Sequence, residues 1–375
     1  MAMIYLDYNA STPVDPAVRD AMLPYLGEHF GNPSSAHAKG KVLREAVDKA
    51  REQVASCLGA KPEEVIFTSG GTEANNYVIK SVAYTRRDRG RHIVTSIFEH
   101  PAVLNPCRFL EKNGWEVTYV PVDEKGRIDP QQVRDAVRDD TVLVTIMHAN
   151  NEVGTIQPIA EIAEIARSRG AWCHTDAAQS CGKIETDVGK LGVDFLSIAG
   201  HKLYGPQGIG ALYMRSGIEI EPYHHGAGHE SGRRAGTEPV PALVGLGKAT
   251  ELAKSHVGDP HLKMMRDRFH EGLRRELGDK IVLLGHPELR LPNTLAVAFP
   301  GRIGSDILAA CPEICASTGA ACHAGGRKVS GTLAAMKVPE ETAFGAVRFS
   351  VGCPTTEAEI DEATEAIVAA VKTNG

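Results

Sequence analysis

Between residues 60 and 215, short apolar runs alternate with stretches whose apolar side chains recur every three or four positions. The runs at 65–68, 93–96, 117–120, 142–147, 171–174 and 195–198 are rich in β-branched residues, and several are apolar on successive positions. That is the pattern of strands covered on both faces, where an alternating pattern would mark a strand with one wet face. The stretches at 72–88, 101–112, 130–138 and 159–169 read as crossover helices. Strand and helix in alternation predict an α/β fold built on a mostly parallel sheet. The pattern shifts further on, with a long helix over 239–255, then a helix, a strand over 294–299 and a terminal helix over 356–372. A large domain over 15–256 is expected, and a smaller α+β domain formed by 257–375 with residues 1–14.

Ligands of such sheets bind beyond the carboxyl ends of the strands. Gly70-Gly71-Thr72, Glu99-His100, Asn150-Asn151, Asp176 and His201-Lys202 all follow predicted strands, so five short motifs should converge on one crevice. Composition leaves that picture intact. The chain has 375 residues, 42% hydrophobic and 23% charged, as in ordinary globular proteins. A formal charge of −6 gives no electrostatic footprint for nucleic acid or an anionic membrane, which leaves a small-molecule substrate as the expectation. No run approaches the roughly 20 apolar residues of a membrane span, and the first residues lack the pattern of a signal peptide, so a cytoplasmic protein is expected. Eight irregularly spaced cysteines read as reduced thiols.

Particular residue types then narrow the chemistry. Asp176 ends a predicted buried strand, and Lys202 stands between His201 and Leu203 after the next one. A lysine can hold the aldehyde of pyridoxal phosphate as a Schiff base, and a carboxylate can keep its pyridine nitrogen protonated. Thr68 to Asn75 places glycine amides and the Thr72 hydroxyl at a helix start, an anion site suited to a phosphate; no lysine follows the second glycine, so it is not a Walker loop. His100 is positioned to project over a bound ring as acid or base. Asn151 and Gln179 could donate to the cofactor's phenolic oxygen. Arg348 is a charge within an apolar run, which calls either for a substrate carboxylate or for a structural ion pair. Gly232 to Thr237 adds donors that reach a phosphate in cis or from a second subunit. Cys322 lies among small residues and glycines with His323 beside it, as an accessible thiolate would. Cys311 and Cys315 add a metal-like spacing, but without a second Cys-x-x-Cys pair no metal is expected.

These residues resemble the pyridoxal-phosphate cysteine desulfurases of the NifS/IscS type, within the class V aminotransferase superfamily, with selenocysteine lyases as near relatives. The similarity runs from Tyr5-Leu6-Asp7-Tyr8-Asn9 through Thr68 to Asn75, Glu99-His100, Asn150-Asn151-Glu152, the Asp176 and Lys202 motifs, Arg233 to Thr237 and Cys322 to Arg348-Phe349-Ser350-Val351-Gly352. It implies fold type I of the pyridoxal-phosphate enzymes, with a seven-stranded large-domain sheet and a homodimer whose sites lie at the subunit interface. Lys202 would be the Schiff-base lysine and proton carrier, Asp176 the partner of the pyridine nitrogen, Gln179 that of the phenolic oxygen, and His100 the stacking ring. Gly71, Thr72, His201 and the neighbouring subunit's Thr237 would bind phosphate. Asn9, Asn151, Arg348 and His323 would face the substrate, and Cys322 would take the sulfur or selenium and leave alanine.

Departures from the family pattern bear on the substrate. Sulfur-delivering members carry serine where Ala199 stands, and Ala321-Cys322-His323 replaces the Ala-Cys-Thr of iron–sulfur assembly enzymes. A cysteine desulfurase or selenocysteine lyase is expected, and with the chain ending at Gly375, soon after its last helix, these features make selenocysteine a serious candidate beside cysteine. Cys353, where relatives carry arginine, is a further change. A sulfur or selenium acceptor protein is the expected partner. Two rivals differ in class: an aminotransferase of the same fold with an incidental Cys322, and a binding module that has lost activity. Retention of Lys202, Asp176, His100 and Arg348 together speaks against the second.

Overall fold

A computed structural model describes residues 3–318, 320–323 and 326–373; of 320–323 and 326–327 only the backbone course is described. The strands in chain order are β1 Ile4–Tyr5, β2 Val65–Thr68, β3 His92–Ser96, β4 Glu116–Val120, β5 Thr141–Thr145, β6 Trp172–Asp176, β7 Phe195–Ala199 and β8 Gly210–Met214. They continue with β9 Val282–Leu284, β10 Thr294–Ala298, β11 Ile314–Cys315, β12 Ser317–Thr318, β13 Ala320–His323, β14 Gly326–Val329 and β15 Ala346–Ser350. Seven of them form one sheet in the order β2-β8-β7-β6-β5-β3-β4. Neighbours are parallel except around β8, which runs antiparallel to both β2 and β7. Every residue of β2, β3, β5, β7 and β8 is buried, as the unbroken apolar runs required.

The predicted helices form at Gly71–Thr85, Pro101–Glu111, Pro130–Ala136, Ile159–Ser168, Val240–His256 and Glu357–Thr373. The structure adds elements beyond the predicted ones, among them a long helix and a strand of the large sheet. The helix Ala38–Leu58 buries Leu43, Val47, Val54 and Leu58 along one face and ends at Gly59, whose φ of 66° supplies the left-handed cap. Strand β8 opens on a glycine and has no β-branched residue, so composition gave no strand signal; its two antiparallel neighbours hold it in place.

A second sheet, β12-β15-β10-β9, is antiparallel throughout and packs on the helices Pro260–Leu277 and Glu357–Thr373. Ile4 and Leu6 join that core, which also holds Phe269, Phe299 and Phe349. Strand β1 pairs with β11, and Asp7 bridges to Ser350 at the end of β15. The first residues of the chain are thereby held against strands more than 300 positions away, next to the carboxyl ends of the large sheet. Among the described residues no helix is long and apolar enough to cross a membrane.

Candidate active site

The carboxyl ends of the parallel strands open into a cavity of about 480 Å³, within the usual range for cofactor-sized ligands. Gly71, Thr72, His100, Asn151, Asp176, Gln179, His201, Lys202, Arg348 and Asn9 all line it. The five motifs predicted to converge do so.

Lys202 closes the 3₁₀ turn Gly200–Lys202 that follows β7. Its Nζ donates to the carbonyls of Asn9 (2.5 Å) and Ala10 (2.7 Å). Burial, reinforced by the Arg348 charge, pushes its pKa down to about 8. Asp176 ends β6 and is buried; Oδ2 accepts from Asn75 Nδ2 at 2.6 Å and Oδ1 from the Ala178 amide at 2.9 Å. His100 caps the helix Pro101–Glu111, its Nδ1 accepting from the Ala102 amide at 3.1 Å. A neutral ring that accepts at Nδ1 carries its proton on Nε2, and burial lowers the His100 pKa, so the neutral form prevails. Behind it, Glu99 is wholly enclosed: its carboxyl accepts from Ser96 Oγ (2.7 Å) and the Met147 amide (3.0 Å), and burial drives its pKa up to about 8.

The helix Gly71–Thr85 points its N-terminus into the cavity through Gly71 and Thr72. A Cβ added at Gly71 would touch only the methyls of Ala199 (3.6 Å) and Ala178 (3.9 Å), so the glycine keeps open a space about one methyl deep. Exposed amides and helix dipole together favour an anion there. His201 extends the rim, with Nδ1 3.3 Å from Ser11 Oγ.

Asn9, expected at the substrate, lines the cavity, while its side-chain Nδ2 donates to Thr294 Oγ1 (2.8 Å) and Oδ1 accepts from Asn293 Nδ2 (2.9 Å). Asn9 therefore serves the site through its main-chain carbonyl, which takes bonds from Lys202 and from Gln179 Nε2 (3.0 Å). Arg348 lines the cavity and is ion-paired with Asp7 at 2.6 Å, the structural pair of its second reading. The donors expected in 232–237 are committed elsewhere: Arg234 grips Glu73 (2.9 Å), and Arg233 donates to the Glu63 carbonyl (2.8 Å). Thr237 is exposed and outside the cavity of its own chain. Cys322 lies on β13, opposite Arg327 of β14; its side chain and that of His323 are outside the described residues. Cys353 is exposed, with Sγ 3.8 Å from His256 Nδ1.

Asn75, Asp7 and Ser317 were missed by the sequence reading. Asn75 had a usable signal, because it stands four residues after Gly71 and so on the same helix face. Asp7 and Ser317 had none, since each acquires its role only through tertiary contact with Arg348.

The family pattern described as aminotransferase class-V matches residues 4–363. The chain belongs to the class-V aminotransferase family. Among members of known activity, it is 48% identical to a cysteine desulfurase IscS of Methanosarcina thermophila, over 97% of this chain and 91% of that one. It is 44% identical to a cysteine desulfurase of Mus musculus, over 98% of this chain and 81% of that one. A solved NifS-like protein superposes with a TM-score of 0.93 at 38% identity, covering 99% of this chain and all of the other (100%). SspA in complex with cysteine gives 0.83 at 39% identity, over 92% and 98% of the two chains.

This class-V chain is a pyridoxal-phosphate enzyme of fold type I, and the geometry fits the cofactor. The cavity is large enough, a buried carboxylate stands at its floor, and a lysine of lowered pKa reaches into it. Gly71 leaves a cradle at a helix N-terminus, and two buried amide oxygens in the wall, Asn75 Oδ1 and Gln179 Oε1, have no partner among the described residues.

Proposed function

We propose that the protein is a cysteine desulfurase that converts L-cysteine to L-alanine and retains the sulfur on Cys322. The observation that carries this reading is one cavity where Lys202, Asp176, a phosphate-ready helix end and Arg348 meet. The named relatives are cysteine desulfurases, which favours cysteine over the selenium-specific lyase suggested by Ala199 and the Ala-Cys-His segment. The division into a large domain over 15–256 and a small domain from 1–14 and 257–375, the homodimer, the cytoplasmic setting and a sulfur-acceptor protein belong to the same proposal.

Bound pyridoxal phosphate would supply an electron sink for the charge left when the substrate's Cα proton departs. The residues around it divide the remaining work. Lys202 would hold the aldehyde and, once freed, carry that proton; a pKa near 8 leaves part of the amine neutral at neutral pH. Asp176, steadied by Asn75 and the Ala178 amide, would hold a proton on the pyridine nitrogen. His100 would stack on the ring and present its Nε2 hydrogen. Gly71, Thr72, His201 and, from the partner of the proposed dimer, Thr237 would bind the phosphate. Gln179 would contact the phenolic oxygen with its remaining amide hydrogen. Asn151 and Arg348 would hold the substrate carboxylate. The Cys322 thiolate would attack the substrate sulfur: an S–S bond forms, the C–S bond breaks, and its electron pair stays with carbon, which gains protons to become alanine.

Incubating the loaded enzyme with L-cysteine and a thiol reductant tests this. Alanine and sulfide should appear in equal amounts; Lys202→Ala should abolish both, and Cys322→Ala should abolish sulfide release. An aminotransferase would instead form pyruvate-type keto acid and keep full turnover without Cys322. A selenium-specific lyase would release alanine from L-selenocysteine alone.

A further inference from the structure

A guanidinium offers a carboxylate two forks, Nε with Nη2 and Nη1 with Nη2, so Nη2 is common to both. In Arg348 that nitrogen is already committed. It lies 2.6 Å from Asp7 Oδ1 and 3.0 Å from Ser317 Oγ. Nη1 donates to the Asn151 carbonyl at 2.9 Å, and Nε is buried with no partner among the described residues. Each fork therefore needs the one nitrogen that Asp7 and Ser317 already engage.

We propose that Asp7 is an internal stand-in for the substrate carboxylate, which must displace it from Nη2 of Arg348 to gain a bidentate grip. This deepens the reading above and rests on its assignment of Arg348 to the substrate carboxylate. Displacement is required because two carboxylates on one guanidinium would stand a few ångströms apart in a poorly hydrated wall, where like charges repel strongly. The pair is that enclosed: side-chain exposures are 12% for Arg348 and 18% for Asp7. Only the Asp7 side chain needs to swing. Its main chain is held by the bridge to Ser350 and by the Tyr5 hydroxyl, which donates to the Asp7 carbonyl at 3.1 Å.

Ser317 moves with the exchange. Its hydroxyl is 3.0 Å from both Asp7 oxygens, and it sits opposite Arg348 in the β12–β15 pairing. Strand β12 leads directly into β13, which carries Cys322. Asp7 thereby makes an α-carboxylate a condition of tight binding. An amine without one cannot compete for Nη2.

The test uses the pyridoxal-phosphate-loaded enzyme and two unreactive probes, L-alanine and ethylamine, titrated through the change in cofactor absorbance, alongside kcat and KM for L-cysteine. Asp7→Asn should tighten L-alanine and lower KM about three- to tenfold, the range of losing one partly buried competing contact. The gain should persist in about 0.5 M salt, where long-range attraction is screened, and should not extend to ethylamine. Arg348→Gln should weaken L-alanine at least about tenfold; if it does not, the Arg348 assignment itself fails. If Arg348→Gln weakens binding but Asp7→Asn leaves L-alanine unchanged or weaker, Arg348 keeps its role and the stand-in proposal is overturned. Equal tightening of ethylamine, or a gain abolished by salt, also overturns it. Ser317→Ala, which removes one contact to Nη2 and spares both charges, should tighten L-alanine by a smaller factor and carries the same test if Asp7→Asn folds poorly.

Discussion

Lys202 owes its reactivity to position rather than to residue type. An ordinary lysine is almost wholly protonated at neutral pH, but burial beside the Arg348 guanidinium brings this one to about 8. The neutral amine is the nucleophile toward the aldehyde, and its fraction grows as pH rises through the pKa. Loading of the cofactor-free protein with pyridoxal phosphate should therefore speed up between pH 7 and pH 9 and level off above, followed as growth of visible absorbance. A rate that is flat across that window, or that climbs only above pH 10, would contradict the lowered pKa. His100 does not confuse the readout, since its own pKa is lowered and it stays neutral throughout. Asp176 and Lys202 were legible in the sequence because each stands at the end of a recognisable strand, where position in the fold follows from position in the pattern. Asp7 was not, because its partner Arg348 lies 341 residues away and nothing local marks either as half of a pair.

Among the elements, the helix Gly71–Thr85 and strand β7 meet at the end of the cavity proposed to take the phosphate, and small residues keep them apart. Gly71→Ala adds a methyl that meets Ala199 and Ala178 at ordinary contact distances, with no backbone strain. The cofactor-free protein should keep its melting temperature, while the methyl fills the cradle and weakens pyridoxal phosphate by about tenfold or more. Ala199→Ser should act oppositely. Ala199 is buried at the end of β7 facing that helix start, and a hydroxyl there adds a donor for the phosphate, tightening the cofactor about three- to tenfold by equilibrium dialysis. Unchanged affinity in both variants would move the phosphate elsewhere. The same elements show why legibility varied. Strands such as β5 and β7 declare themselves by unbroken apolar runs, whereas β8, opening on a glycine at the joint between antiparallel neighbours, is a strand by tertiary context. The helix Ala38–Leu58, by contrast, carries a periodic buried apolar face that is legible in the sequence.

At the scale of the whole molecule, Thr237 sets the open question of how many chains make one site. It is exposed and lines no part of its own chain's cavity, while the neighbouring Arg234 and Arg233 are tied down within the chain by Glu73 and by the Glu63 carbonyl. An exposed residue outside its own chain's cavity is free to serve a phosphate in another subunit, as the proposed homodimer requires. Thr237→Asp should therefore repel the phosphate of the partner's site and leave its own Lys202 intact. Alone, Thr237→Asp and Lys202→Ala should each form inactive dimers. When the two are mixed and allowed to exchange subunits, the hybrid has one site bearing both lesions and one bearing neither, so activity should return toward about one quarter of that of the unmodified enzyme at equal mixing, half the dimers being hybrids with one working site each. If Thr237 acted within its own chain, every site in the mixture would keep one lesion and no activity would return. Recovery on mixing thus separates a shared site from a self-contained one by a readout that neither variant alone can give.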